Sequence, residues 1–267
     1  MVITIAVLIM SSIVLIYNIF TIGSPIERDI ELVGGKLISI SLENPPDINK
    51  LSSSIPDVSF KLVSGLQTTL LVETSASKDE NEIIDRLKNL GVEGEYNVKT
   101  IGPSLGEVFW KQAQIALISA FIIMAIIIFI LFRSFAPSFA VILAATTDIV
   151  VSMFGMHLLG INLSLATLAA LLMLIGYSVD TDIVLTTEMM KTNENVDKKI
   201  RIAMKTGVTM TLCALAALVT LYFVSGSHVL QQMSLVLIIG LMIDLPATWL
   251  TNTGILRWYI EKKEAKR

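Results

Sequence analysis

Ser164–Thr187 reads SLATLAALLMLIGYSVDTDIVLTT, and its only charged residues are Asp180 and Asp182. As a helix rising 1.5 Å per residue this stretch is about 36 Å long, enough to cross the ~30 Å hydrocarbon core of a bilayer. A carboxylate at the centre of a spanning helix costs roughly 2.5–3.5 kcal/mol. A run that keeps two of them in apolar surroundings points to membrane insertion, and to carboxylate chemistry inside the membrane.

Five further runs have the same length and character: Val2–Phe20, Gln112–Phe132, Pro137–Leu158, Ile202–Val224 and Val229–Thr253. The whole chain of 267 residues is 54% apolar and 16% charged, with a mean hydropathy of +0.73. A soluble domain is roughly 45–50% apolar and about 25% charged, so a soluble enzyme is excluded as the default. The first run lacks a basic start and an A-x-A site, which makes it a retained anchor rather than a cleaved signal peptide. The expected class is a polytopic α-helical membrane protein with six transmembrane helices and one external α+β domain between the first two. Its expected units are a spanning helix over 1–20, an external domain over 21–111, a five-helix bundle over 112–256 and a basic tail over 257–267.

Lys and Arg in the short connections set the orientation. Arg133 follows the second run, Lys191, Lys198, Lys199, Arg201 and Lys205 cluster near the fourth-to-fifth connection, and Arg257, Lys262, Lys263, Lys266 and Arg267 follow the sixth. The connections after the third and fifth runs carry none. Both termini are therefore expected in the cytoplasm, in a multi-pass protein of the cell membrane. The basic tail fits an ordinary anchor against membrane lipid.

The segment outside, 21–111, holds 14 of the 23 acidic residues and has the alternation of a soluble fold. Strands are expected over Lys36–Leu42, Val58–Val63, Gln67–Glu73 and Glu95–Ile101, with a turn at Ser64-Gly65. Helices are expected over Pro46–Ser54 and Lys78–Leu90, the second capped by Ser77 and stopped by Gly91. This order, with a core at about 34–103, is the ferredoxin-like split βαβ unit.

Four carboxylates fall inside the runs: Asp148, Asp180, Asp182 and Asp244. Asp148, Asp180 and Asp244 lie at depths that place them in one layer. Asp180 and Asp182 stand about 200° apart around a helix, so one faces the bundle or a water-filled cavity and the other a second chain or the wetted interface. Lys205 is the nearest candidate cation, either pairing with an acid or snorkelling to the surface. Around them Gly155, Gly176, Tyr177, Ser178, Thr181, Gly207, Thr209 and Thr211 suit close helix packing and interhelical hydrogen bonds. Pro137 fits the first position of a helix and Pro246 a kink just after Asp244.

The single Cys213 and the distant His157 and His228 give no disulfide and no metal cage. Gly34-Gly35 is followed by no G-K-[ST], so it is a turn rather than a phosphate loop. No nucleophile elbow or His-paired nucleophile is visible, and no basic stripe with interleaved aromatics recognises nucleic acid. The reading is a protein that is not an enzyme and holds no cofactor or metal.

Five segments resemble the SecF protein-export family in its archaeal form. LVGGKLISI at Leu32–Ile40, with Gly34 and Gly35, is similar to the family's F-T-G-G entry into the first external strand. VKTIGPSLGEVFWKQA at Val98–Ala113, with Gly102 and Pro103, is similar to its V-G-P-x-x-G passage. LIGYSVDTDIVLTTE at Leu174–Glu188 resembles its span-four signature, I-G-Y-S-x-[ND]-D-T. MKTGVTMTL at Met204–Leu212 and LQQMSLVLIIGLMID at Leu230–Asp244 resemble the starts of spans five and six. The resemblance covers nearly the whole chain. It implies a partner, SecD, the half-transporter architecture of the resistance-nodulation-division superfamily, and work beside the Sec translocon channel on a translocating polypeptide. It also implies proton flow through an acid on span four. The family's acid aligns with Thr181, so its role falls to Asp180 or Asp182, with Asp148, Asp244 and Lys205 as supports. Lys205 stands where bacterial members have Arg, and Thr187-Glu188 where they have Asp-Arg.

Two other functions fit the same residues. One is a non-conducting scaffold or chaperone for the translocon, the acids serving to hold two chains together. The other is a subunit of an efflux transporter, which an external domain this small disfavours unless a second chain completes a pocket.

Overall fold

The computed structural model describes residues 2–42, 46–55, 58–64, 68–75, 77–191 and 196–264. Helix α1, Val2–Ile22, is followed by a single helical turn, α2, Ile30–Val33. The external domain then runs β1 Gly35–Leu42, α3 Ile48–Ser54, β2 Ser59–Ser64, β3 Thr68–Thr74, α4 Glu80–Asn89 and β4 Glu95–Ile101. The strands form one antiparallel sheet in the order β2-β3-β1-β4, the ferredoxin-like arrangement.

Alternation builds this domain. Ile38 faces Val72 on one neighbour and Val98 on the other, and Ile40 faces Leu70 and Tyr96. Ile38, Ile40, Leu70 and Val72 pack with Leu51 and Ile55 at α3, and with Ile83 and Leu87 of α4. The opposite sheet face, with Leu37, Ser39, Leu71, Glu73 and Lys99, overlies the membrane helices. Together with Gly160, Asn162, Ser164 and His228 it encloses a cleft of about 220 Å³. The second external helix is capped by Asp79, whose side chain accepts from the Asn81 N–H at 3.0 Å. Ser77, expected in that role, bonds to Ser75 instead. The expected turn at Gly65 and the end of the basic tail lie outside the described residues.

The membrane helices are α5 Pro103–Phe132, α6 Phe135–Leu158, α7 Leu165–Met189, α8 Val196–Val224 and α9 His228–Pro246; α9 passes through a π-helical stretch, Ala247–Asn252, into α10 Thr253–Glu264. With α1 they make six helices long and apolar enough to cross a membrane. The helix that opens at Pro103 begins nine residues before its expected start at Gln112, because Gly102-Pro103 is a helix-entry pair with Pro at the first position. Pro137, by contrast, is the third residue of α6, after Ser134 at the cap and Phe135. Basic residues of the expected tail are likewise helical, since α10 continues through Arg257 and Lys262.

Helices α6, α7 and α9 form the middle of the bundle, around Val141, Ile149, Leu171, Leu174, Val236 and Leu237. Two glycines explain the join between sheet and bundle. Gly34 has φ +89°, and a Cβ there would lie 2.5 Å from Pro103 Cα; a Cβ on Gly106 would lie 2.6 Å from Gly34 N. Backbone therefore meets backbone, which only residues without a side chain permit.

Candidate functional site

Three helices each bring one carboxyl to the centre of the bundle. Asp148 on α6, Asp182 on α7 and Asp244 on α9 are all buried, at 1%, 0% and 0% exposure. Four-residue spacing does much of the positioning, since i and i+4 share a helix face. Ser178 stands one turn before Asp182 and donates its hydroxyl to Asp148 Oδ2. Thr248 stands one turn after Asp244, and its Oγ1 lies 3.1 Å from Asp244 Oδ1 and 3.0 Å from Asp182 Oδ1. Asn252 donates from Nδ2 to the same Asp182 oxygen at 2.6 Å.

Proton arithmetic follows from these contacts. Thr248 has one hydroxyl hydrogen and two carboxyl oxygens at bonding distance. That hydrogen goes to one oxygen or is shared between both, and a protonated carboxyl on either side adds a second donor at this point. Among the described residues, one oxygen of each acid, Asp148 Oδ1, Asp182 Oδ2 and Asp244 Oδ2, has no hydrogen-bond partner, and neither has Asn252 Oδ1. Among the described residues no basic side chain is bonded to any of the three acids.

Thr248 and Asn252 both sit on the π-helical stretch that follows Pro246. Proline has no N–H to give, and a π turn bonds i to i+5 and widens the helix. The kink expected at Pro246 is thus a widened segment that carries two ligands of Asp182. Sequence reasoning singles out neither ligand. The legible signal is a polar residue one turn after each of Asp244 and Thr248, in a run already broken by proline.

The other expected site residues divide. Asp180 is exposed on the outer face of α7 with Gly176, Tyr177 and Met173, so it does not join the layer of Asp148 and Asp244; Asp182 does. The two-residue offset puts them on opposite faces. Lys205 is also exposed, on α8, and bonds to none of the acids. Thr209 is exposed and spends its hydroxyl on its own helix, on the Lys205 carbonyl at 2.7 Å. A Cβ on Gly176 would meet nothing within 4 Å, so this glycine packs against no other described helix of the chain. Gly207 does pack closely: a Cβ there would meet Trp249 Cζ2 at 2.6 Å and Thr181 Cγ2 at 3.0 Å. Glu188, at the end of α7, pairs with Lys191.

Residues 82–262, which hold all three buried acids and the π-helical stretch, match the family described as protein export membrane protein SecD/SecF, C-terminal. The chain belongs to the SecD/SecF family. A protein-export membrane protein SecF of Methanolacinia petrolearia is 38% identical over 96% of this chain and 91% of its own length. The SecF of Pyrococcus furiosus is 39% identical over 95% and 88%. Among solved structures, SecDF of Thermus thermophilus, a translocon-associated membrane protein, superposes with a TM-score of 0.80 at 20% identity. That match covers 97% of this chain and 37% of the SecDF chain. The SecD/SecF fold is therefore that of a multi-pass helical membrane protein with a β domain, and in this member the buried acid of α7 is Asp182.

Proposed function

We propose that this chain is a SecF subunit that works with a SecD subunit beside the Sec translocon, and that it uses proton movement through Asp148, Asp182 and Asp244 to promote export of a translocating polypeptide. The observation that carries the reading is three buried carboxyls on three different helices with no bonded cation among the described residues. A charge left in a membrane interior is functional by default, and here protonation of Asp182 or Asp244 changes which group donates at Thr248. Adding a proton to either acid that faces Thr248 lets that acid donate as well as accept there, which changes the contact between α7 and α9. Proton occupancy is thereby tied to how these helices sit together.

The SecD partner is supported by the SecDF match, in which a region like this one makes up 37% of a longer chain. The exposed Asp180 and Lys205 suit that partner, since a charge facing outward within the membrane needs a counter-charge or a route to water. The lysines and arginines on the side away from the sheet favour both termini in the cytoplasm and residues 21–111 outside.

The test is export of a reporter by cells in which this chain and SecD replace their own, with pull-down of SecD as the control for assembly. Asp182→Asn keeps the acceptor for Asn252 and removes the titrating group. The expected result is export lowered at least about tenfold with SecD still bound. Normal export by the three single Asn variants and by the triple variant would overturn proton coupling and leave the scaffold.

A further inference from the structure

Helix α7, which carries Ser178 and Asp182, is gripped at its outer end by a residue of the external segment. Glu31 belongs to α2, the single turn that leads into β1. Its Oε2 accepts from the Leu165 N–H at 3.0 Å, the first residue of α7, and its Oε1 lies 2.5 Å from Lys99 Nζ on β4. One carboxylate thus ties the sheet to the helix. Beside it the chain at Arg28 runs as a parallel bridge along Leu163, with Asp29 N–H to Leu163 O and Leu163 N–H to Glu27 O, both 2.8 Å.

Capping need alone does not explain this grip. Ser164 and Thr167 already form a reciprocal capping box at this end of α7. The Leu165 N–H lies at an exposed position where water would satisfy it. Lys99 is half exposed and Glu31 retains 17% exposure, so the ion pair adds little stability. What the arrangement supplies is connection. The anion sits at the positive end of the α7 dipole, and the opposite end has the matching cation: buried Lys199 of α8 donates to the carbonyls of Met189 and Lys191. Helix α7 is held by charge at both ends, and the outer grip belongs to the external domain.

We propose that Glu31 is the strut that makes α7 and the external sheet move as one body, so that a shift of α7 at the acid cluster reaches the sheet directly. This rests on the proton-coupled reading above, and Glu31 is a positioning residue: it touches none of the three acids. Gly34, three residues further along, packs backbone to backbone with Gly106 and gives the strut a stiff footing on α5.

The experiment uses the full chain with SecD, in a Cys213→Ser background that carries Ser39→Cys. Ser39 is half-buried on the sheet face that lines the cleft above the helices. Glu31→Ala is expected to raise labelling of that cysteine by a membrane-impermeant maleimide and to lower export about fivefold or more, with SecD still recovered. Glu31→Gln, which keeps an acceptor for Leu165 but not the charge for Lys99, falls between. Glu31→Ala combined with Asp182→Asn exports no less than the poorer single variant, because both lesions cut one line of transmission. Unchanged labelling, unchanged export or additive losses in the double variant would each overturn the strut. If the three single Asn variants and the triple variant export normally, the proton reading fails by itself, and the labelling still decides whether Glu31 joins the two bodies.

Discussion

The external sheet and the membrane bundle are built on opposite plans. In the sheet domain Ile38, Ile40, Leu70 and Val72 are fully buried and the charges lie outside in pairs such as Lys61–Glu73 and Arg86–Glu82. In the bundle, large apolar side chains such as Ile115, Ile126, Phe129 and Phe223 are exposed, and the polar groups are inside, with Asp148, Ser178, Asp182, Asp244, Thr248 and Asn252 all buried. Lipid tails are as apolar as leucine, so hydrophobic burial cannot hold helices together there. Polar contact and close backbone approach take over, so the groups that join the helices are the same ones to which we assign proton movement. In the sheet domain the core carries stability alone; in the bundle the proposed function and the helix contacts fall on the same residues.

The sharpest way to break this contrast is to exchange polarity. Leu70→Asp puts an unpartnered carboxylate into the sheet core and is expected to destabilise the external domain by more than about 4 kcal/mol. Asp182→Asn is expected to change thermal stability in detergent by less than about 1 kcal/mol while abolishing most export. Parallel melting curves of the two variants, read with export, check both. Comparable destabilisation by each would mean that the bundle depends on its acids as the sheet depends on its leucines.

A smaller effect separates two glycines that look alike in the sequence. Gly207→Ala drives a methyl against Trp249 and Thr181 and is expected to cost about 1–3 kcal/mol. Gly176→Ala meets nothing among the described residues and is expected to leave the isolated chain unchanged or slightly firmer, by up to ~1 kcal/mol from helix propensity. The check is melting of each variant with and without SecD. A loss for Gly176→Ala without SecD would place an unseen contact on that face of α7.

The two plans also differ in how far they are legible in the sequence. Period-two alternation in GKLISISL and TTLLVET is decided by neighbours along the strand, so the sheet, its order of elements and the six apolar helices can be read directly. Helix α2 cannot, because four residues show no period. Within the bundle the acids themselves announce their cost, but which acid turns inward depends on the rotation of α7 against α6 and α9. Apolarity all round a helix hides that rotation, and so Asp180 and Asp182 can be told apart as facing different ways but not assigned. Thr248 and Asn252 are hidden for a further reason: their alignment with Asp182 requires a π turn, which no ordinary helical spacing anticipates.

A pH-dependent effect lies at the seam between the plans. Asp29 caps α2 beneath the sheet, and its carboxyl is pushed up from 3.8 to about 6, first by burial and then by the nearby carboxylates of Glu73 and Glu31; the Glu31 N–H and Lys61 oppose this more weakly. His228 of α9 lines the same cleft. A folded-state acid that holds its proton above its ordinary value favours the fold while protonated. Its contribution is therefore full below about pH 4, is lost as pH rises toward 6, and is flat beyond. Asp29→Asn keeps a capping oxygen and removes the titration. The variant should match the wild type near pH 4 and exceed it by roughly 1–2 kcal/mol above pH 6, after discounting for water at this partly exposed site. The quantity to follow is the difference between the two melting curves across pH 4 to 7, in which titration of the three membrane acids cancels because both proteins have them. A difference that stays flat would mean that Asp29 ionises at the seam as it does in water. A difference of opposite sign would mean that Lys61 holds the carboxylate charged, and that the joint between sheet and bundle is an ion pair rather than a protonated cap.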